Sequence, residues 1–422
     1  MNYQSVSRRS LLRLAGSATV AASMGSLPAH AAAPKLRVAT FEYLSGPFAQ
    51  VGQTAAALLK EIASVQNAQA GTPFEMDITL FDTKGSVQEV QAAFNQVVDQ
   101  GIRFITGGGN SAGAAYLVDA VTRYNSRNPG KEILYFNHQC IDPDLTNAKC
   151  SFWHFRFGPN VPSRVDALTR YLANDRSVRN VFLINQDYNF GQSVSRFAKE
   201  QLAAKRPDIK IVGDELHALG KVKDFSPFAD KIKASGADSV ITSNFGPDLV
   251  LLIRAAKDAG MKIPFYTMYG NAFGAPTAIG EAGLETMRLS VNYDANERDA
   301  RADEIYRNFK SRNPGLEIYD LAELDMVDML VAAVKKAGGI EPKAVGLALE
   351  GLEITGQYGP VKMRAEDHQI LAPMFIQTFA KVDGKKVRVG FEGLDAGFRT
   401  EAKYGADETA LASVCKMTRP SA

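Results

Sequence analysis

Short runs of β-branched and apolar residues alternate with longer amphipathic segments along most of the chain. An apolar run at residues 35–41 precedes a helical pattern at 55–65, and the alternation continues to residue 136. It restarts near residue 168 and continues to residue 268. Strands that alternate with helices form parallel βαβ units, with helices on both faces of a sheet. The pattern therefore predicts an α/β protein with two Rossmann-like, doubly wound lobes.

The remaining third of the chain does not follow this simple alternation. A strand is expected at 289–292, and two helical patterns follow at 302–310 and 321–337. Three antiparallel strands are predicted in the tail, at 361–363, 374–380 and 387–389, with a turn at Asp383-Gly384. Gly/Pro breaks at 157–159 and 356–360 are candidate crossings between the lobes. No low-complexity linker separates the lobes, which predicts that they are interleaved.

The N-terminus predicts export through the twin-arginine route. Residues 7–12 carry paired arginines followed by an apolar pair, and residues 28–31 supply small residues for cleavage near Ala31. The apolar stretch between them is too short to span a bilayer. An amphipathic N-terminal helix is the alternative interpretation. A signal peptide over residues 1–31 implies a periplasmic protein, which disfavours kinases, most NAD enzymes and nucleic-acid-binding proteins.

Composition agrees with this interpretation. The 422 residues carry a formal charge of +2, and removal of the three signal arginines changes it to −1. A near-neutral chain without a basic run is not expected to bind nucleic acid or anionic membranes. A mature length of about 390 residues exceeds what one core usually serves, which again favours two lobes.

The three cysteines predict one disulfide and no metal site. Cys140 and Cys150 flank a polar turn, and in an oxidising compartment such a pair is expected to be bridged, leaving Cys415 free. Neither a Cys-x-x-Cys motif nor paired histidine spacing accompanies them. We therefore expect neither a metal nor a cofactor.

The segment Gly109-Asn110-Ser111-Ala112-Gly113 supports two interpretations. It fits the G-x-S-x-G elbow of a serine hydrolase, with Asp325 and His368 as the partners by chain order. It equally fits a βα loop that offers backbone N–H groups and a hydroxyl to an anion. Under the second interpretation, this loop and the one at 45–52 line a crevice at the carboxyl ends of the strands.

Several motifs together resemble type I periplasmic solute-binding proteins, which serve ABC importers of branched-chain amino acids and amides. These motifs are 45–52, 142–146, 224–226 and 254–260, in this order behind an export signal. The resemblance implies two Rossmann-like lobes joined by three crossing strands, with the ligand enclosed between them. We expect residues 34–157 with 292–355 in lobe 1, and 158–291 with 356–422 in lobe 2.

The resemblance also implies a set of ligand-binding residues. Ser111 matches a position that holds a ligand carboxylate, and Tyr269 matches one where amino-acid binders commonly carry an acid for the ammonium. Ile141 and Tyr269 are departures from the family pattern. The full expected set is Val51, Asn110, Ser111, Gln139, Cys140, Ile141, Phe190, Phe245 and Tyr269.

We therefore expect a non-catalytic, monomeric receptor that delivers a small carboxylate-bearing solute to an ABC permease. A branched-chain or aromatic amino acid ranks first, and an aromatic or aliphatic acid lacking an ammonium is the alternative. An exported serine hydrolase built on Ser111 and a receptor-type sensory module are the rival classes.

Overall fold

Strands and helices alternate from Lys35 onward in the computed structural model, which describes residues 33–46, 48–272 and 274–420. The predicted signal segment, residues 1–31, lies outside the described residues. The strands are β1 Lys35–Glu42, β2 Glu75–Asp82, β3 Phe104–Gly107, β4 Leu134–Asn137, β5 His154–Arg156, β6 Asn180–Gln186, β7 Lys210–His217, β8 Ser239–Thr242, β9 Phe265–Thr267, β10 Met287–Val291, β11 Glu353–Gly356, β12 Gly359–Met363, β13 Ile370–Leu371, β14 Met374–Lys381 and β15 Ala396–Tyr404. The helices are α1 Ala49–Asn67, α2 Val87–Asp99, α3 Ser111–Arg127, α4 Val161–Asn174, α5 Asn189–Lys205, α6 Ser226–Ala234, α7 Gly246–Asp258, α8 Ala275–Ile279, α9 Ala300–Arg312, α10 Ala322–Ala337 and α11 Pro342–Leu349.

Two large sheets form the two lobes, as predicted. The first has the order β2-β1-β3-β4-β5 and is parallel throughout. The second has the order β15-β14-β10-β9-β8-β6-β7, in which β14 runs antiparallel to both of its neighbours, β10 and β15, and the other pairs are parallel. A small sheet, β11-β12-β13, completes the described strands.

Helices cover both faces of the first sheet, which explains its continuous apolar runs. Val38 and Leu134 pack in a core cluster with residues of α1. Ala39 and Tyr135, which point to the opposite face, pack in another cluster with α2 and α3. The period of two within each strand therefore distributes side chains to two cores rather than to one core and solvent.

From β1 to β15 the chain passes between the two lobes three times. The first crossing follows β5 at the predicted position, and the second follows β10. The predicted crossing at 356–360 is wrong, because these residues form the turn of the hairpin between β11 and β12. The segment just before β13 still contacts the first lobe, since the backbone N–H of Arg156 in β5 donates to His368 O at 2.9 Å. The third crossing therefore lies between β13 and β14.

The tail contains one strand that the sequence pattern misplaced. The predicted strand at 387–389 lies in the connection between β14 and β15, whereas Ala396–Tyr404 pairs with β14 along its length. Val387 is nevertheless buried, and its backbone N–H donates to Asp383 Oδ1 at 2.9 Å. An apolar residue held by an Asp-centred turn has the same sequence signature as a short strand.

The disulfide joins Cys150 to Cys415, so the predicted Cys140–Cys150 bridge is wrong. Cys140 is buried with a free thiol, and its backbone N–H donates to Asn137 Oδ1 at 2.8 Å. After β15 the tail returns to the first lobe, where the backbone N–H of Val414 donates to Asn147 Oδ1 at 3.2 Å. This return brings Cys415 to Cys150, with their Cα atoms 5.7 Å apart.

Candidate functional site

A cavity of about 410 Å³ lies between the lobes, at the carboxyl ends of the strands of both sheets. Its wall is formed by the residues that follow β1, β3 and β4 in lobe 1 and β6, β8 and β9 in lobe 2. All nine predicted binding residues line it, namely Val51, Asn110, Ser111, Gln139, Cys140, Ile141, Phe190, Phe245 and Tyr269. In open α/β sheets, ligands commonly bind in a crevice at the carboxyl ends of the strands, and this cavity lies at such a place.

The N-terminus of α3 forms one part of the wall. Gly107, Gly108 and Gly109 all have positive φ, and they turn the chain sharply from β3 into the helix. A Cβ at Gly109 would lie 2.6 Å from Thr83 Oγ1, so the close approach of the loop requires glycine. Asn110 caps the helix by accepting from Gly113 N at 2.9 Å. Ser111 and the first N–H groups of α3 therefore present a hydroxyl and a partial positive charge to an anion.

Aromatic rings from both lobes form a second part of the wall. The ring centroids of Phe190 and Phe245 lie 5.9 and 6.0 Å from that of Tyr269, both in edge-to-face geometry. Phe48, at the start of α1 in lobe 1, lies 6.0 Å from Phe245 in lobe 2. Such contacts favour an apolar or aromatic ligand group next to them.

A buried charged cluster lies at the carboxyl ends of β1 and β4. His138 Nε2 is 3.3 Å from Glu42 Oε1 and 3.5 Å from Glu323 Oε1, and Gln139 Nε2 donates to Glu42 Oε2 at 2.8 Å. Burial opposes the charged imidazole, but the carboxylates of Glu323 and Glu42 raise the pKa of His138 to about 9. Burial raises the pKa of Glu323 to about 7, against the opposing effect of His138. The imidazolium of His138 is thus the shared counter-ion of the Glu42 and Glu323 carboxyl groups.

Besides His138, three charged residues of the wall are absent from the set expected from the sequence. Arg164 enters from α4 in lobe 2, whereas Asp320 and Glu323 enter from the start of α10 in lobe 1. Arg164 Nη2 and Asp320 Oδ2 face each other at 3.8 Å across the lobes. These residues belong to no recognised motif and do not follow a strand. They lie in segments that come after a crossing between the lobes, so their place in the cavity depends on how the two lobes meet.

A sequence profile of the periplasmic binding protein family matches residues 35–385. The chain belongs to the periplasmic binding protein family. It is 31% identical over 418 residues to the Leu/Ile/Val-binding protein homolog 4 of Brucella abortus, covering 96% of this chain and 98% of the relative.

Solved structures confirm the fold of this periplasmic binding protein. A leucine-, isoleucine-, valine-, threonine- and alanine-binding protein from Brucella ovis, in a closed conformation, superposes with a TM-score of 0.82. The two share 29% identity over 92% of this chain and 100% of the other. A Rhodopseudomonas palustris solute-binding protein in complex with 3,4-dihydroxybenzoic acid shares the fold with a TM-score of 0.72 at 17% identity, covering 88% of this chain and 98% of the other.

Family membership gives the coarse function. Periplasmic binding proteins bind small-molecule ligands and work with ABC transporter permeases, and members of the family are solute-binding proteins rather than enzymes. In the part of the chain that the structure describes, no helix is long and apolar enough to cross a membrane.

Neither the geometry nor the family supports a serine hydrolase. His368 and Asp325 do not belong to the cavity wall that carries Ser111. The imidazole of His368 is buried, stacks on Phe155 at 3.9 Å and lies 2.9 Å from Glu350 Oε1 through Nε2. Ser111 therefore lacks the partners that the hydrolase hypothesis requires.

The thiol of Cys140 also belongs to the cavity wall. Burial raises the pKa of this thiol far above its usual range, which favours the neutral thiol over the nucleophilic thiolate. Among the described residues, no group of three or more His, Cys, Asp or Glu side chains is placed to hold a metal ion.

Proposed function

We propose that this protein is the exported receptor of an ABC importer and that it binds an α-amino acid with a branched-chain or aromatic side chain. The observation that carries the proposal is the composition of the cavity. It combines a capped helix N-terminus with Ser111, suited to a carboxylate, and an aromatic wall suited to an apolar side chain. The names of the Brucella relatives, which refer to leucine, isoleucine and valine, agree with this ligand class.

In the proposed mechanism the two lobes close on the ligand. Residues 34–157 with 292–371 would move as one body, and residues 158–291 with 374–404 as the other, about the three crossings. A ligand that contacts Ser111 in lobe 1 and Phe190 in lobe 2 makes both sets of contacts only when the lobes are together. Binding therefore shifts the population toward the closed state, which the permease would recognise.

The proposal includes a non-catalytic, monomeric protein exported by the twin-arginine machinery. Ser7-Arg8-Arg9 at the N-terminus supports this export route, and the near-neutral charge of the mature chain agrees with the absence of a nucleic-acid partner. Cleavage near Ala31 would release the chain just before β1 begins at Lys35.

A receptor for a carboxylic acid without an ammonium is the second candidate. Arg164 favours it, because a buried guanidinium on the cavity wall is a strong partner for a carboxylate. The rings of Phe190, Phe245 and Tyr269 would suit an aromatic acid equally well.

A thermal-shift panel separates the two candidates. It pairs each amino acid with its deaminated analogue, for example leucine with 4-methylpentanoate and phenylalanine with 3-phenylpropanoate. A ligand at about a hundred times its dissociation constant adds roughly 2.7 kcal/mol of stability, which is about 3 °C for a chain of this size. We expect at least one amino acid to raise the melting temperature and its analogue to do so much less. A shift with the deaminated acids alone would refute the amino-acid proposal.

A further inference from the structure

We propose that Asp320, rather than a residue at the position of Tyr269, binds the ligand ammonium and selects amino acids over the corresponding acids. This inference rests on the proposed function, because it names the group that recognises one end of the proposed ligand. Asp320 lies immediately before α10, in lobe 1, and lines the cavity.

One oxygen of the Asp320 carboxylate accepts two hydrogen bonds, and the other oxygen faces the guanidinium of Arg164. Its Oδ1 accepts from the backbone N–H of Ala322 at 2.8 Å and from Asn292 Nδ2 at 3.1 Å. Its Oδ2 has Arg164 Nη2 at 3.8 Å, which is too long for a hydrogen bond. A carboxylate oxygen accepts more than one hydrogen bond, so Oδ2 has capacity for an ammonium N–H.

Arg164 is fixed by its own lobe and does not neutralise Asp320 by direct hydrogen bonding. Its Nη1 donates to Met268 O at 3.4 Å and to Ser290 O at 3.3 Å, and its Nε donates to Pro159 O at 3.4 Å. These backbone contacts keep the guanidinium on the lobe 2 side of the cavity. The 3.8 Å distance between Arg164 Nη2 and Asp320 Oδ2 therefore depends on how the two lobes meet.

The same arginine makes the position of Tyr269 unfavourable for an ammonium. The guanidinium carbon of Arg164 lies 5.5 Å from the centroid of the Tyr269 ring. A ligand ammonium placed at this ring would face the buried cation with only the neutral Tyr269 hydroxyl as a partner. At Oδ2 of Asp320 the ammonium would also lie near Arg164, but there direct contact with a carboxylate offsets the repulsion between the two cations. The position of Tyr269, where amino-acid binders of the family commonly carry an acid, thus lies next to the cation of Arg164 in this cavity.

The other acids near the cavity already share a cation. Glu42 and Glu323 both contact His138, and Glu42 also accepts from Gln139. Burial keeps the pKa of Glu323 near 7, so this carboxyl is partly protonated at neutral pH. Asp320 is the remaining acid of the cavity wall, and both of the hydrogen bonds described above go to its Oδ1 rather than to Oδ2.

The test compares two Asp→Asn variants. Asp320→Asn keeps an oxygen that accepts from Ala322 N and removes the charge. Asp325→Asn is the matched control, five residues further along the chain and outside the cavity wall. Burial raises the pKa of Asp325 to about 8, so at pH 7 its carboxyl is largely protonated and Asn imitates it.

The measurement is the ratio of dissociation constants for leucine and 4-methylpentanoate, and for phenylalanine and 3-phenylpropanoate, by calorimetry at pH 7. Loss of one charge-assisted hydrogen bond weakens binding about 10- to 150-fold. We expect Asp320→Asn to weaken the amino acid by this factor and to leave the deaminated acid unchanged or tighter. Asp325→Asn should keep the wild-type ratio.

A wild-type ratio in Asp320→Asn overturns the inference while the proposed function stands. Wild-type protein that binds neither amino acid overturns the proposed function and the inference together. Asp320→Ser supplies a second way to remove the charge, and it keeps the inference testable if Asp320→Asn does not fold. It keeps a side-chain oxygen that can accept from Ala322 N, so we expect the amino-acid preference to be lost, and its persistence would overturn the inference.

Discussion

Breaking the Cys150–Cys415 bridge should destabilise the mature protein, whereas replacing Cys140 should leave its response to reductant intact. The perturbation is a set of three variants, Cys140→Ala, Cys150→Ala and Cys415→Ala, each measured oxidised and after reduction. Cys150 and Cys415 are 265 residues apart in sequence, so their bridge constrains the unfolded chain over the whole second lobe and a large part of the first.

The chain-entropy relation gives the magnitude. A loop of 265 residues loses about 5.6 kcal/mol of unfolded-state entropy at 25 °C, compared with about 2.7 kcal/mol for a bridge between Cys140 and Cys150. Removal of native disulfides typically costs about 2–5 kcal/mol, which for a chain of this size lowers the melting temperature by about 2–6 °C.

The assay is thermal unfolding of each variant with and without dithiothreitol, together with non-reducing peptide mapping. Wild type and Cys140→Ala should both lose about 2–6 °C on reduction. Cys150→Ala and Cys415→Ala should already melt at the lower temperature and respond little to the reductant. If Cys140→Ala abolishes the reductant effect, or if mapping recovers a Cys140–Cys150 peptide, the reasoning is refuted.

Three further predictions concern the cavity and the export signal. Ser111→Ala should weaken amino-acid binding by about 10- to 150-fold, by calorimetry, and a fluorophosphonate should not label the wild type, since labelling would indicate a hydrolase. The pKa of His138 is raised from 6.5 to about 9 in the folded state, so His138 stabilises the fold below about pH 6.5 and this contribution is lost as the pH rises to 9. The free energy of unfolding should therefore fall across this window by an amount on the order of 3 kcal/mol in wild type and less in His138→Gln, and equal slopes would contradict the assignment. Arg8-Arg9→Lys-Lys should leave the precursor in the cytoplasm, whereas fractionated wild type should begin after Ala31, and full-length wild type in the cytoplasm would contradict twin-arginine export.

Sequence reasoning predicted those parts of the fold that depend on local periodicity. Apolar runs such as β1 and β6 are separated by amphipathic helices, and this pattern specifies parallel sheets whatever the distant contacts are. The third crossing was misplaced because a Gly/Pro break indicates a turn without showing which elements it joins. Gly356 and Gly359 pair across a hairpin, which the composition of a turn alone cannot distinguish from a crossing.

The disulfide shows the same limit for long-range contacts. Three cysteines allow several pairings, and proximity in sequence favoured Cys140 with Cys150. The observed pairing depends on the tail returning to the first lobe after β15, where Arg419 Nε donates to Glu350 Oε1 at 2.6 Å. Nothing in the local pattern around Cys415 encodes this return.

In the site, the predicted residues lie where strands end, and the missed ones do not. Ser111, Phe190 and Phe245 follow strands directly, so the rule that ligands bind at carboxyl ends places them at the cavity. Arg164 and Asp320 belong to segments that come after crossings. Their location depends on how the two lobes meet, which no single segment determines.

Under the proposed function, the location of these two charges would also explain how a chain with Tyr269 recognises an amino acid. A buried ammonium needs an anionic partner somewhere on the wall, but the physics does not require a particular position in the sequence. Here Arg164 from lobe 2 takes the side next to Tyr269, and Asp320 from lobe 1 faces it at 3.8 Å. Because the two belong to different lobes, they approach each other only when the lobes are together. If Asp320 binds the ligand ammonium as proposed, a ligand that lacks an ammonium leaves the Asp320 carboxylate with Arg164, 3.8 Å away, as its cationic partner. Discrimination between ligands and closure of the lobes would then depend on the same pair of charged residues.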